Sequence, residues 1–389
     1  MIKITDLCLY NKRVLIRTDL NVPLKNGEIV SDFRIITAMT TIEYVLKKGG
    51  YVTVCSHLGQ PIEGEYNPDY SLLPIVNYLN DKFPFSFRLV KNYLKDKIIM
   101  KKGEILVWEN VRFNKGEKDN DVNLSKKYAS LCDIFIMDAF GTAHRTHAST
   151  VGLCNFSPIS CAGPLLLKEI NTLSQALYSP NKPIVGIIGG SKISTKLTVI
   201  NNLVKKLDYL IIGGGIANTF LVAQGYNIGQ SLYESNLVDY AKSLLKYNTI
   251  QIPVDVCVAT ELSEKSKYIV KSVNRIENND KIVDFGEISI KLMLNIIKKA
   301  KTLIWNGPIG IFEFPNFRKG TKEISMAIAN STAFSIAGGG DTLYAIELFN
   351  IFNKISYIST GGGAFLTFLS GKKLPTILAL ENKYLDLKK

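Results

Sequence analysis

The sequence predicts an α/β protein built from two doubly wound parallel-sheet domains. Its 389 residues exceed what one core ordinarily supports and suit two domains of roughly 150–200 residues. Short β-branched runs alternate with helical patterns from end to end, the mark of parallel strands covered on both faces. The residues that follow those runs change character midway, from polar and basic in the first half to glycine-rich in the second.

The first half holds the runs RVLIRT (13–18), YVTVCS (51–56), ILVWEN (105–110) and IFIMDA (134–139). In open α/β sheets ligands bind beyond the carboxyl ends of the strands, so the residues just after each run are the candidates. They are Asp19 and Asn21, then His57 in HLGQP, then Arg112, then His144, Arg145 and His147 in FGTAHRTH. Arg17 lies in the first run and Arg34 in the following SDFRI segment. All three histidines of the chain fall in this set. Guanidinium forks match phosphate and carboxylate oxygens and an imidazole adds a donor, so together they suit a pocket for a small, multiply anionic metabolite. Any one of them alone would fit a surface ion pair or a satisfied core histidine equally well.

Pro164 opens LLLKEINTLSQALY, where Leu166, Ile170, Leu173 and Leu177 recur at helical spacing before Pro180 and Pro183. This predicts a helix over 164–178, either connecting two domains or crossing over within one. Beyond it come IVGIIG (184–189), YLIIGG (209–214), TLIWNG (302–307), FSIAGG (334–339) and ISYIST (355–360). Glycines follow several of these, at Gly189-Gly190-Ser191-Lys192, Gly213-Gly214-Gly215, Gly338-Gly339-Gly340-Asp341-Thr342 and Gly361-Gly362-Gly363. Glycine lets backbone N–H groups approach phosphates at helix N-termini, which points to nucleotide binding, although tight strand-to-helix turns need glycine without any ligand. GGSKISTK does not fit the P-loop and IIGGGIANTF lacks the third glycine of a dinucleotide fingerprint. Lys192 and Lys196 are expected in the first turn of a helix running to about Asp208, two cations on one face opposing the helix dipole at a cost of a few tenths to about 1 kcal/mol. A bound polyphosphate would reverse that sign. Asp341, after three glycines, suits Mg²⁺, which takes one or two carboxylates plus phosphates and waters; it would serve equally as an N-cap.

Hydrophobic residues make up 46% and charged residues 21%, the balance of a globular chain. The opening MIKITDLCLYNKR has no apolar stretch of signal-peptide length and no run of 18 apolar residues occurs, so a cytoplasmic protein with no membrane partner is expected. The formal charge of +13 rests on 39 Lys and 8 Arg among 47 basic residues, with the lysines scattered among Ile and Asn. Nucleic acid would want a clustered basic helix with interleaved aromatics, so no nucleic-acid partner is expected. Cys8, Cys55, Cys132, Cys154, Cys161 and Cys257 form no C-x-x-C pair and are expected as buried thiols.

With these residues in view, the chain resembles phosphoglycerate kinase of the bacterial type, from about Arg13 to beyond Pro375. The matching strings are RTDLNVP, SDFR, SHLGQP, ENVRF, MDAFGTAHR, GGSKISTK, GGGIANTF, WNGPIGIFE and IAGGGDT. The resemblance implies a glycolytic enzyme, a monomer, that reversibly moves the acyl phosphate of 1,3-bisphosphoglycerate to Mg-ADP, giving 3-phosphoglycerate and Mg-ATP. It implies domains facing across a hinged cleft: 1–163 for phosphoglycerate, a helix over 164–178, 179–372 for Mg-nucleotide, and 373–389 packing back on the first domain. By matching position, Asp19, Asn21, Arg34, His57, Arg112 and Arg145 would hold phosphoglycerate, with Arg17 and His144 completing the basic patch and Leu20, Leu58, Gly59 and Gln60 in the same motifs. Arg34 would stabilise the phosphoryl group in flight and Lys192 would follow it, with Gly339 and Gly340 beside it. Lys192, Lys196, Gly213, Gly214, Gly339, Gly340, Asp341 and Thr342 would hold ADP or ATP, Glu313 the ribose and Asp341 the Mg²⁺. One position departs: the family carries arginine where this chain has Gln60, so the patch lacks a cation unless a lysine or His147 supplies it.

Overall fold

The computed structural model describes residues 1–25 and 27–386, so the last three residues of the expected returning segment 373–389 lie outside the described residues. The chain divides into two compact units, Met1–Asn171 with Lys373–Lys389, and Thr172–Lys372.

The first unit contains β1 (Arg13–Arg17), a short hairpin of β2 (Leu24–Lys25) and β3 (Glu28–Ile29), then β4 (Tyr51–Cys55), β5 (Ser86–Val90), β6 (Glu104–Trp108), β7 (Ile134–Met137) and β8 (Ile159–Ala162). Apart from the hairpin they form one parallel sheet in the order β5-β6-β4-β1-β7-β8. From β1 the chain steps to β4, then to the edge strand β5 and back to β6 between them, before resuming with β7 and β8 on the other side, so the switch of direction lies beside β1. Arg17 pairs with Cys55 on one flank and Met137 on the other, so the segments that follow β1, β4 and β7 leave the sheet at one level. Helices α1 (Phe33–Lys47), α2 (Leu73–Lys82), α3 (Val122–Ser130) and the short α4 (Leu153–Phe156) accompany this sheet. Ile16, Val54, Val107 and Ile136 of the sheet and Ile35, Ile42, Ile75 and Leu79 of the helices share one core, each side chain contributing roughly 1.5–3 kcal/mol of burial.

Helix α5 (Pro164–Tyr178) occupies the predicted span. Its start is fixed by Asp138, just after β7, whose Oδ1 accepts from the Leu165 and Leu166 amides at 2.8 and 3.0 Å. Pro164 at the first position forgoes an amide that has no helical partner anyway. Gly163 is required by the same contact, since a Cβ there would come within 2.3 Å of the Asp138 carboxyl carbon.

The second unit repeats the scheme. Strands β9 (Ile184–Ile188), β10 (Tyr209–Ile212) and β11 (Ile250–Gln251) precede β12 (Asp255–Ala259), β13 (Ile269–Ser272) and β14 (Lys281–Phe285), followed by β15 (Thr302–Asn306), β16 (Phe334–Ala337) and β17 (Tyr357–Ile358). The parallel sheet runs β11-β10-β9-β15-β16-β17. Ile188 pairs with Ile212 and Asn306, and Trp305 with Ala337, so four glycine-bearing turns emerge together. The remaining strands form an antiparallel sheet in the order β13-β12-β14, which the apolar-run pattern does not predict. Helices α6 (Leu197–Leu203), α7 (Gly214–Ala223), α8 (Val238–Leu244), α9 (Glu287–Lys299), α10 (Lys319–Ala329), α11 (Gly340–Leu348) and α12 (Gly362–Leu369) complete the unit. Helix α13 (Pro375–Asp386) then packs on α4 and β8 of the first unit, where the Thr376 amide donates to Ala143 O at 3.2 Å.

Three expectations need correction. Lys192 and Lys196 do not share the first turn of an α-helix: Ile193–Thr195 is a 3₁₀ turn, and α6 spans only Leu197–Leu203, well short of Asp208. The run at 355–360 yields a two-residue edge strand, Tyr357–Ile358. Cys8 is exposed, whereas the other five cysteines are buried and all six are free thiols. Among the described residues, no helix is long and apolar enough to cross a membrane.

Candidate active site

The polar residues that follow β1, β4, β6 and β7 meet in one cluster. Arg17, the last residue of β1, is 1% exposed. Its Nε donates to Ser149 Oγ at 3.2 Å, Nη1 donates to Thr18 O, and Nη2 lies 3.2 Å from His57 Nδ1. On the opposite edge of the imidazole, Arg145 Nη1 lies 3.5 Å from Nε2. Burial, reinforced by Arg17, Arg112 and Arg145, holds His57 well below the usual imidazole range, so the ring is neutral at pH 7. A neutral imidazole has one acceptor nitrogen and guanidinium has none, so only one of the two contacts can be a hydrogen bond. At the other, donor faces donor, an arrangement that an anionic oxygen would resolve.

Arg112 follows β6 on a 3₁₀ turn set by Asn110, whose Oδ1 accepts from the Arg112 amide at 3.1 Å. Burial and the neighbouring Arg145 and Arg17 press its pKa down to about 10, only partly offset by Glu117 and Asp19. Arg112 Nη1 donates to Gly59 O. Gly59 has φ +58, and a Cβ there would meet the Tyr70 ring at 2.3 Å, so glycine is obligatory. Asn21 Oδ1 accepts from the Gly59 amide at 2.9 Å, the Leu20 amide donates to Ser56 Oγ at 2.9 Å, and Asp19 Oδ1 accepts from the Asn21 amide at 3.2 Å. Arg34, in the first turn of α1, donates to Asn21 O at 2.7 Å and pairs with Asp19 Oδ2 at 3.3 Å.

Some sequence-predicted residues play other parts. The Leu20 and Leu58 side chains belong to the hydrophobic core, leaving only their backbones to a ligand. His144 is lowered by burial and by Arg145, so it adds a neutral ring rather than a cation to the patch. His147 is pushed down to about 3, by burial first and then by Arg112, Arg145 and Arg17, and therefore does not replace the charge missing at Gln60. Gln60 itself is exposed, and among the described residues its amide has no hydrogen-bond partner. Sequence reasoning passed over Glu117 and Ser149. Glu117 is 1% exposed and is the carboxylate set deepest beside these arginines.

On the second unit, Gly190 (φ +134), Gly214 (φ +65), Gly307 (φ +97) and Gly339 (φ +106) shape the turns after β9, β10, β15 and β16. Gly213 makes room for Ile309, whose Cα would lie 2.5 Å from an added Cβ. Lys196 turns inward: Nζ donates to Gly189 O and, at 3.2 Å, to Asn306 O. Burial lowers its pKa to about 8, partly offset by Asp341. Lys192 is exposed, on a turn that Glu234 pins by accepting from the Ser194 amide at 2.7 Å and its hydroxyl at 2.6 Å. The two lysines thus face different surroundings.

A cavity of about 450 Å³ opens among these turns. Gly190, Gly214, Gly215, Glu313 and Asp341 line it, with Ile282, Phe285, Pro308 and Ile309 supplying apolar wall. Lys281, Val283 and Asp284 also line it, all from β14 of the unpredicted sheet. Asn306, in the recognised string WNGPIG, bridges two turns: Nδ2 donates to Gly338 O at 2.6 Å, while Oδ1 is buried without a hydrogen-bond partner.

Helix α11 is capped at Gly339, not at Asp341, which lies exposed in its first turn. The Thr342 hydroxyl accepts from the Gly307 amide at 2.7 Å and donates to Gly338 O at 3.0 Å, leaving its amide for a ligand. Nothing lies within 4 Å of a Cβ built on Gly340, so the helix N-terminus, with its unpaired amides, has open space before it. Among the described residues no three metal-ligating side chains cluster. A single carboxylate at an open helix N-terminus fits Mg²⁺, which takes most of its ligands from phosphates and water; it would not suit a metal held by the protein alone.

Comparison with known proteins matches residues 4–372 to the family model described as phosphoglycerate kinase. A solved structure of phosphoglycerate kinase from Coxiella burnetii is 47% identical, with 98% of this chain and 99% of that one covered and a TM-score of 0.92. Phosphoglycerate kinase from Pyrococcus horikoshii OT3 is 30% identical over 99% of both chains, with a TM-score of 0.83.

Proposed function

The chain belongs to the phosphoglycerate kinase family, and from that premise we propose how its residues divide the work. The reaction is reversible phosphoryl transfer between 1,3-bisphosphoglycerate and Mg-ADP, yielding 3-phosphoglycerate and Mg-ATP in glycolysis. The observation that supports the assignment of sites is the arginine cluster around a neutral His57, where donor faces donor and an anionic oxygen would satisfy both.

Arg17, Arg112 and Arg145 bind the carboxylate and phosphate of phosphoglycerate, with His57 and Asn21 fixing its orientation. Arg34, tethered by Asp19 and Asn21 O, presents its guanidinium to the phosphoryl group as charge develops on it. In the second unit the cavity takes the nucleoside, with Glu313 at the ribose and the β14 wall against the base. Lys196 and the amides of residues 339–342 take the phosphates, and Lys192 follows the moving group. Asp341 would hold Mg²⁺, which neutralises phosphate charge when bound.

The acceptor oxygen is a carboxylate or a diphosphate oxygen already ionised at pH 7, so no general base is needed. Positioning and charge neutralisation suffice. The two ligand sets belong to different units, and domain closure completes in-line transfer while excluding water from the phosphoryl group.

The test is direct. Purified protein supplied with Mg-ATP should turn over only when 3-phosphoglycerate is added, read as ADP release in a coupled assay. Folded protein that binds nucleotide but shows no phosphoglycerate-dependent turnover would refute the assignment.

A further inference from the structure

Glu117 has no part in the chemistry above, yet it is linked through Ser149 to Arg17 of the arginine cluster. A buried carboxylate is costly unless it is paired and hydrogen-bonded. Burial raises its pKa to about 7, opposed by Ser149 and by the charges of Arg17 and Arg112. What it touches gives the reason for its presence. Its Oε1 accepts from Ser149 Oγ at 2.5 Å and its Oε2 from the Ser149 amide at 3.1 Å, while its backbone carbonyl accepts from the Ala148 amide at 2.9 Å. Ser149 Oγ in turn accepts from Arg17 Nε. A hydroxyl has one proton, so by giving it to Glu117 it must offer Arg17 a lone pair. The carboxylate thereby dictates which way the serine points.

The same residue anchors the turn at Ala148 and Ser149, shortly after Arg145, through its backbone carbonyl for the Ala148 amide and its carboxyl group for the Ser149 amide. Residue 117 is itself fixed from outside: Glu63 accepts from the flanking Gly116 and Lys118 amides at 3.1 and 2.7 Å. Glu63 lies three residues beyond Gln60, so the loop after β4 braces the loop after β6. Arg17 from β1 is thus bonded through Ser149 to a carboxylate whose charge also acts on Arg112 after β6.

We propose that Glu117, acting through Ser149, is a positioning residue for the phosphoglycerate site: it aligns the Arg17 guanidinium against His57 within that site. The inference rests on the reading that Arg17 belongs to that site, and the experiment separates the two.

The full-length chain is assayed with 3-phosphoglycerate and Mg-ATP as wild type, E117Q, S149A, R17M and the double variant E117Q/R17M, with thermal unfolding followed in parallel. Glu117→Gln keeps the size of the side chain and an acceptor but removes its charge. It should raise the phosphoglycerate KM about tenfold, as coupling within one hydrogen-bonded network allows, and leave the ATP KM unchanged. In the R17M background the same change should have less than about a twofold effect, because there is no guanidinium left to align. S149A should reproduce the E117Q phenotype, and it carries the test if E117Q does not fold. Equal effects of E117Q in both backgrounds, or an unaltered phosphoglycerate KM in S149A, overturn the inference while leaving Arg17 as a substrate residue. An unchanged KM in R17M alone overturns the site reading itself, and this inference with it.

Discussion

Replacing Lys196 by Met separates nucleotide binding from stability. In the free protein the ammonium group is half-buried against two carbonyl oxygens, Gly189 O and Asn306 O, with the Asp341 charge favouring its protonated form. Its fall from 10.5 to about 8 corresponds to about 3 kcal/mol against the charged form. Nucleotide phosphates would repay that by supplying negative charge. The sign follows: a lysine whose folded pKa lies below its unfolded value is a liability at pH 7, and the liability fades as pH rises through about 8. Lys196→Met should therefore leave the unliganded protein no less stable at pH 7, while kcat/KM for Mg-ATP falls by about 10- to 100-fold, the worth of one charge-assisted hydrogen bond of about 1.5–3 kcal/mol. The decisive assay is the pH profile of kcat/KM for Mg-ATP, which reports groups of the free enzyme. Wild type should lose activity above about pH 8, as Lys196 gives up its proton. K196M should run flat through that range at its lower level. A basic limb that persists unchanged in K196M would refute the reasoning.

Arg34→Ala should lower kcat by on the order of 10³-fold if Arg34 acts as arginine fingers do; a loss below about tenfold would make it a binding residue only. With His147 neutral and Gln60 unpartnered, Gln60→Arg should lower the phosphoglycerate KM severalfold at low salt and less at high salt, and a response independent of ionic strength would show that position 60 never senses the substrate's charge. His57 and His147 have folded pKa values below the unfolded value near 6.5. Their stabilising contribution is therefore present above about 6.5 and is lost as pH falls towards the folded values. Their imidazole carbon resonances should keep neutral-ring shifts down to pH 5, and a midpoint between 6 and 7 for either ring would contradict the burial and charge crowding described above.

Much of this was legible because parallel strands buried on both faces write continuous apolar runs, and their ligand residues follow at once. Arg17, His57, Arg112 and Arg145 stand at or shortly after strands read in this way, as do Gly189 and Gly338. The antiparallel sheet was not, because β13 is largely exposed and β14 begins with partly exposed Lys281 and Ile282. Its loss mattered, since β14 forms one wall of the cavity in the second unit. The pairing of Lys192 with Lys196 failed for a different reason: spacing of four implies a shared face only within an α-helix, and here a 3₁₀ turn intervenes and the Gly189 and Asn306 carbonyls draw Lys196 inward. The charge of the histidines was equally invisible, because it depends on how many guanidinium groups the fold packs around them. Glu117 carried one unused signal, an acidic residue shortly after ENVRF in a region otherwise rich in cationic strand ends.

The proposed reaction requires two ligands held by two separate units. Amide chemical shifts of the deuterated full-length chain, titrated with each ligand alone, measure this directly. 3-Phosphoglycerate should move the amides of Asn21, Gly59, Arg112 and Arg145 and leave those of Gly190, Gly214 and Gly340 in place, whereas Mg-ADP should do the reverse. Phosphoglycerate shifts centred on residues 339–342, or Mg-ADP shifts centred on Arg112 and Arg145, would contradict it.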